Sequence, residues 1–209
     1  MKKLLFTLTI LASFSVFSQK KKKIFTTDTL VYYGIDFSNC RLIGDFGNGG
    51  GMDMKTKMFV SWNDIFIKEQ GKYDLHKTFR KQVVFYDMNP VASQNANTDE
   101  NQILTYKKEY KLDPALIPSI VANYEKGEQT EGLGLVFIVD SYDKNRVQAR
   151  VYVTFFDIAT KQVLLSELLT GIPGGISLRN YWSRAMYEIL EKIQHSYYLT
   201  WKKKYSPKK

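Results

Sequence analysis

The chain has 209 residues, 44% apolar and 14% aromatic, a composition that excludes a disordered or fibrous protein and suits one domain with a sizeable core. Its net charge of +9 is concentrated at the two ends. Setting aside the lysines at 2, 3, 20–23, 202–204, 208 and 209 leaves 19 basic against 21 acidic residues, so the segment from Ile24 to Trp201 carries no basic face of the kind nucleic-acid binding needs.

The amino terminus reads as a secretory leader. Lys2 and Lys3 precede an uncharged apolar stretch from Leu4 to Phe17, and Ser18 offers a small residue for cleavage. The stretch falls short of the roughly 17 to 25 residues that cross a bilayer, so the mature chain has no expected transmembrane segment. Residues 1–18 are therefore expected to be a signal peptide, and the protein to be exported, periplasmic or extracellular. A basic tail over 19–28 follows, holding Lys20 to Lys23, and a second basic tail occupies 202–209. The lysine segments 20–23 and 202–209 are expected to be solvated, so that trimming them leaves folding unchanged, because the body from Ile24 to Trp201 holds every expected core element. A salt-sensitive foothold on an anionic envelope surface is the alternative role for them.

Between the tails, 29–201 reads as a single α/β domain. Thr29 to Ile43 is rich in β-branched and aromatic residues and forms the first expected strand, with a break near Gly34 to Asp36. The glycine-rich stretch Gly44 to Gly51 is a loop. Met58, Phe59, Trp62, Ile65 and Phe66 recur at helical spacing, and a further turn or two runs through Tyr73, Leu75, His76 and Phe79. Val83 to Tyr86 reads as a buried strand ended by Asn89-Pro90, and residues 91–101 as a surface loop. Asp113 caps a helix that has proline at its first position, Pro114, and an apolar side through Leu116, Ile117, Ile120, Val121 and Tyr124. Leu133 to Ser141, Arg146 to Asp157 and Gln162 to Thr170 are three strands joined by turns short enough for consecutive antiparallel hairpins. A long amphipathic helix starts near Ser177, with Leu178, Tyr181, Trp182, Ala185, Met186, Ile189, Leu190, Ile193 and Tyr197 on its apolar face. The order β-α-β-α-β-β-β-α implies a mixed sheet of about five strands with helices packed on it.

Signals for chemistry are sparse. The glycine-rich loop fits neither G-x-x-x-x-G-K-[ST] nor G-x-G-x-x-G, so no nucleotide cofactor is expected. His76 and His195 stand apart on separate helices without H-E-x-x-H or paired thiols, so no metal is expected. Cys40, the single cysteine, reads as a small buried packing group, and its distance from the amino terminus argues against lipid attachment. No G-x-S-x-G elbow occurs, and no catalytic residue is assigned. Loop carboxylates such as Asp36, Asp45 and Asp53, or Asp140, Asp143 and Asp157, are the remaining catalytic resource, although aspartate is also the ordinary turn residue. The aromatics near the end divide into expected core (Tyr181, Trp182, Tyr197) and a possible interaction patch, Tyr198, Trp201 and Tyr205, beside lysines.

Two stretches carry a resemblance: Tyr33-Gly34-Ile35-Asp36-Phe37-Ser38, and Phe155 to Leu165 running through Gly171 and Gly174-Gly175 into Arg179-Asn180-Tyr181-Trp182. They resemble uncharacterised exported proteins of Bacteroidota. The order of elements is similar to that of small envelope domains: the amino-terminal domain of the Tol-system propeller protein, the activator lipoproteins of penicillin-binding proteins, and the periplasmic domain of the curli secretion channel. This chain lacks the lipidated cysteine of the last two. The resemblance implies a non-catalytic domain that docks on an envelope protein or component. The other function classes left open are a hydrolase-type enzyme using Asp36 and Asp45, and a structural protein attached through its tails.

Overall fold

The computed structural model describes residues 21–107 and 109–206, so the expected leader over 1–18 lies outside the described residues. The chain builds one mixed sheet of seven strands with helices on both faces. Strands β1 (Thr29–Asp36) and β2 (Arg41–Ile43) follow one another along one side of β5 (Leu133–Asp143), both parallel to it. The sheet continues outward with β3 (Val83–Tyr86) beside β1 and β4 (Leu104–Thr105) beside β2, again parallel. On the other side of β5, β6 (Gln148–Asp157) and β7 (Val163–Gly171) add as antiparallel hairpins. All eleven residues of β5 are buried, as expected for a strand flanked by neighbours and covered on both faces. The strands number seven because Phe37 to Cys40 divide the first expected strand in two, and because β4 is too short to register as a pattern.

A bulge at Gly34 decides which face the end of β1 presents. Strict alternation from Tyr32 would put 34 and 36 on the same side. Instead the register shifts between Tyr32 and Gly34, Gly34 adopts a φ of 105°, and Ile35 and Phe37 join Tyr32 in the main core. Asp36 is thereby turned to the second face.

The main core lies under α1 (residues 21–26), α2, α3 (Leu75–Phe79) and α6. Helix α2 runs from Gly50–Asp53 through a π turn at Met54–Met58 into Phe59–Lys68. Helix α6 runs from Leu178–Lys192 through a π turn at Ile193–Tyr197 into Tyr198–Tyr205. A smaller core on the opposite face joins Tyr33, Val136, Ile138 and Phe156 to Val91 of α4 (Asn89–Ala96) and to α5 (Ile117–Ala122), which is entered through a 3-10 turn at Pro114–Leu116.

Four expectations are corrected. The described part of the expected amino-terminal tail, 21–28, is packed: Ile24 and Phe25 of α1 are buried, Lys23 pairs with Asp157 at 2.9 Å, and Lys81 Nζ donates to the Ile24 and Thr27 carbonyls. Four lysines in a row masked a two-residue apolar anchor. The start of the expected carboxy-terminal tail continues α6 as far as Tyr205. A helix over Asn89–Ala96 takes in the first part of the loop expected over 91–101, because Pro90 occupies a first-turn position and Val91 and Asn95 are buried. Finally, β3 is an edge strand in which Val83 and Phe85 are 42% and 44% exposed.

Candidate interaction surface

The carboxylates are held by the fold. Asp36 accepts from the Ser38 backbone N–H at 2.7 Å and from the Tyr124 hydroxyl at 2.6 Å, and burial raises its pKa in spite of these bonds. Asp140 accepts from Leu112 N–H, Ser141 Oγ and Arg150 Nε at 2.7, 2.7 and 2.9 Å, so that one buried carboxylate ties three segments together. Asp143 and Asp157 close the turns after their strands through backbone N–H bonds to Asn145 and Thr160, and Asp45 does the same to Gly47. Asp53 pairs with Lys57 on α2.

Two clefts flank α4. The one toward α2, about 350 Å³, is apolar, lined by Phe59, Val60, Met88 and Ala92, with Asn63 and Asn95 at its base. The other, about 310 Å³, is polar and lies where the chain passes from β1 to β2, among Ser38, Asn39, Arg41, Gln94 and Gln102. Its one carboxylate is Asp99, which caps the turn at Glu100–Gln102 by accepting from Asn101 N–H, a bond that holds its pKa down. Arg41 is committed to the Cys40 carbonyl and to Gln102 Oε1. Neither cleft brings two of the expected carboxylates together. Among the described residues no three His, Cys, Asp or Glu side chains converge on a metal position. His76 and His195 are exposed, and burial pushes the Cys40 thiol far above its ordinary pKa, so the thiol stays protonated.

The open feature of the molecule is the β3 edge. Past Tyr86 the outer side of β1 has no neighbouring strand, and two asparagines replace one. Asn63 Oδ1 accepts from Ile35 N–H at 2.7 Å while its Nδ2 donates to the Ile35 carbonyl, and Asn95 accepts from Phe37 N–H at 2.7 Å and donates to that same carbonyl. The backbone of β1 is thus satisfied to its end. Strand β3 is not closed in this way: among the described residues no strand pairs with its outer side. Val84 and Tyr86 pack on the main core, so alternation turns Val83 and Phe85 to the opposite face, beyond the reach of α5. Of the other two edges, β4 is only two half-buried residues long, and β7 has no exposed residue and is crossed by Lys192, which donates to the Thr170 carbonyl, and by Tyr205, which donates to Glu167.

The expected aromatic patch does not form. Tyr198 and Trp201 are 2% and 3% exposed, Tyr198 meeting Phe25 edge to face at 5.5 Å, while Tyr205 is half-buried. Tyr197, expected in the core, is 39% exposed. The cause is the π turn: Tyr198 N–H donates to the Ile193 carbonyl five residues back, so the buried stripe steps from Ile193 to Tyr198 instead of to Tyr197. Helical spacing extrapolated from the regular part of α6 names the wrong neighbour from that point on.

No protein-family model, curated protein or solved structure matches this chain.

Proposed function

We propose that this is an exported, non-catalytic domain that docks on a protein of the cell envelope by pairing its β3 edge with an extended segment of the partner. The observation that carries the reading is a strand whose outer side pairs with no other strand among the described residues and which exposes two apolar side chains on one face, the arrangement used for strand addition. Main-chain bonds would supply affinity, and the spacing of Val83 and Phe85 would select alternate apolar residues on the incoming strand. The carboxylates add no support to a hydrolase, because Asp36 is bonded at both oxygens and lines neither cleft beside α4. No helix among the described residues is long and apolar enough to cross a membrane.

The test is a photo-reactive residue at Val83 in the native host, which should give a covalent adduct to one envelope protein, lost when Phe85→Lys is added. Circular dichroism of Phe85→Lys should be unchanged, since the side chain is already half in water. Absence of any adduct, or an adduct insensitive to Phe85→Lys, would refute docking at this edge. Export is tested separately: amino-terminal sequencing of the mature protein should begin near Gln19, and an intact Met1 would remove the envelope from the proposal.

A further inference from the structure

We infer that the loop between β7 and α6, with Ile176 at its apex, is a contact for an anionic bilayer surface, distinct from the β3 edge. Ile176 is 91% exposed, the most exposed large apolar residue of those described, and Ile172 in the same loop is 58% exposed. The backbone holds Ile176 there against local preference. Gly175 before it has a φ of 105° and Ser177 after it a φ of 72°, a region that a non-glycine residue occupies only under constraint. The loop is also pinned to α6: Ile172 N–H donates to the Glu188 carboxylate, Gly174 N–H to the Tyr181 carbonyl, and Ser177 Oγ caps the helix by accepting from Asn180 N–H. A constrained loop that keeps an isoleucine in water is accounted for if the side chain has somewhere apolar to go.

The charge beside it says what that surface is. A cleft of about 700 Å³ reaches Ile176 and is lined by Lys72, Arg179 and Arg184, with Glu69 as its one acidic side chain. Glu69 is paired with Arg179 at 2.7 Å, whereas neither Lys72 nor Arg184 forms an ion pair among the described residues. Both are held against the ring of Tyr187, at 5.6 and 5.2 Å from its centre. The cleft is net positive, and the residues lining it include no aromatic side chain. A protein interface would favour buried aromatics and few charges at its centre. An aliphatic tip flanked by long cations instead suits the boundary between acyl chains and phosphate headgroups, where the isoleucine enters the apolar layer and the cations stay at the phosphates. The lysines near the carboxy terminus are elsewhere: the 28 residues from Leu178 to Tyr205 extend about 40 Å at helical rise.

The experiment is co-sedimentation of the full chain with phosphatidylcholine vesicles with and without phosphatidylglycerol, at low and physiological salt. Binding should require phosphatidylglycerol and weaken with salt. Ile176→Ser and Arg184→Glu should each weaken it about tenfold, whereas replacing Lys202, Lys203 and Lys204 by glutamine should change it less than about twofold. The amino-terminal residues are common to every variant and cancel in these ratios. Because Ile176 is almost fully in water, Ile176→Trp should fold normally, and its emission should shift to the blue on anionic vesicles alone. No binding to anionic vesicles, equal binding by Ile176→Ser, or an unshifted tryptophan would each overturn the proposal. Loss of binding through the carboxy-terminal lysines alone would move the contact to the far end of the helix and overturn it too.

Discussion

Trp182 shows how much one side chain contributes here. It is fully buried, with Tyr142 stacked on it at 4.5 Å and 8° and Phe46 at 5.5 Å and 10°. Trp182→Ala should cost about 3 to 5 kcal/mol in a denaturant melt, the usual range for emptying a buried aromatic site. Trp182→Phe should cost clearly less, because it keeps an aromatic ring in the stack and removes an indole N–H that has no acceptor among the described residues. A loss below about 1 kcal/mol for the alanine variant would mean that the ring is not core. Asn95 is the polar counterpart. Asn95→Ala leaves the buried N–H of Phe37 without its acceptor and should cost about 1 to 3 kcal/mol, while Ser93→Ala on the same helix should stay within about 0.5 kcal/mol. Equal effects of the two changes would show that Asn95 does not hold the end of β1. Its role was not legible in the sequence, because a lone asparagine in a polar run has no pattern and acquires a partner only when α4 is laid across β1.

At the scale of elements, the two π turns act as one-residue insertions that keep a stripe buried. In α2, Phe59 N–H donates to the Met54 carbonyl, and both Met54 and Phe59 are buried; in α6 the same device links Ile193 to Tyr198. Deleting His195 should therefore convert the turn of α6 to ordinary α-helix and leave Tyr198 and Trp201 on the buried face, with melting temperature within a few degrees of the parent. A deletion two turns earlier, at Glu188, should rotate every following side chain by about 100° and abolish cooperative unfolding. If the two deletions behave alike, the turn is not an insertion. Tyr198→Ala should accordingly cost more than Tyr197→Ala in the same melt. Helix α1 carries a pH dependence. Burial lowers the pKa of Lys81 to about 8, below its ordinary 10.5, so the folded state gives up that proton first, and stability should rise as pH increases from about 8 toward 10.5. Lys81→Met should flatten that rise, and a parent protein whose stability falls across that window, with no difference from Lys81→Met, would contradict the burial.

For the molecule as a whole, the first described residues, 21–27, are part of the fold. Removing residues through Thr27 takes away Ile24 and Phe25, each worth about 1.5 to 3 kcal/mol of burial, together with the pair between Lys23 and Asp157. A trimmed protein starting at Asp28 should melt well below the parent. An unchanged melting temperature would show that α1 is not docked. The β3 edge and the Ile176 loop are separate surfaces, so Phe85→Lys and Ile176→Ser should remove different partners without affecting each other.

The class of fold was legible in the chain alone. The three strand-like runs over 133–170 with their short turns, the Asp113-Pro114 helix start and the period of Leu178 to Ile193 are local signals, and each survives because the residues that make an element also bury it. Tertiary structure decided everything that depends on what lies opposite. It made β3 an edge, turned a polar run into the helix that carries Asn95, and packed a lysine-flanked pair of apolar residues. It also shifted the end of α6 by one residue and left Ile176 in water. Exposure and pairing are relations between segments distant in the chain, so no local pattern of apolar and polar residues encodes which edge remains open or which loop is held out from the core.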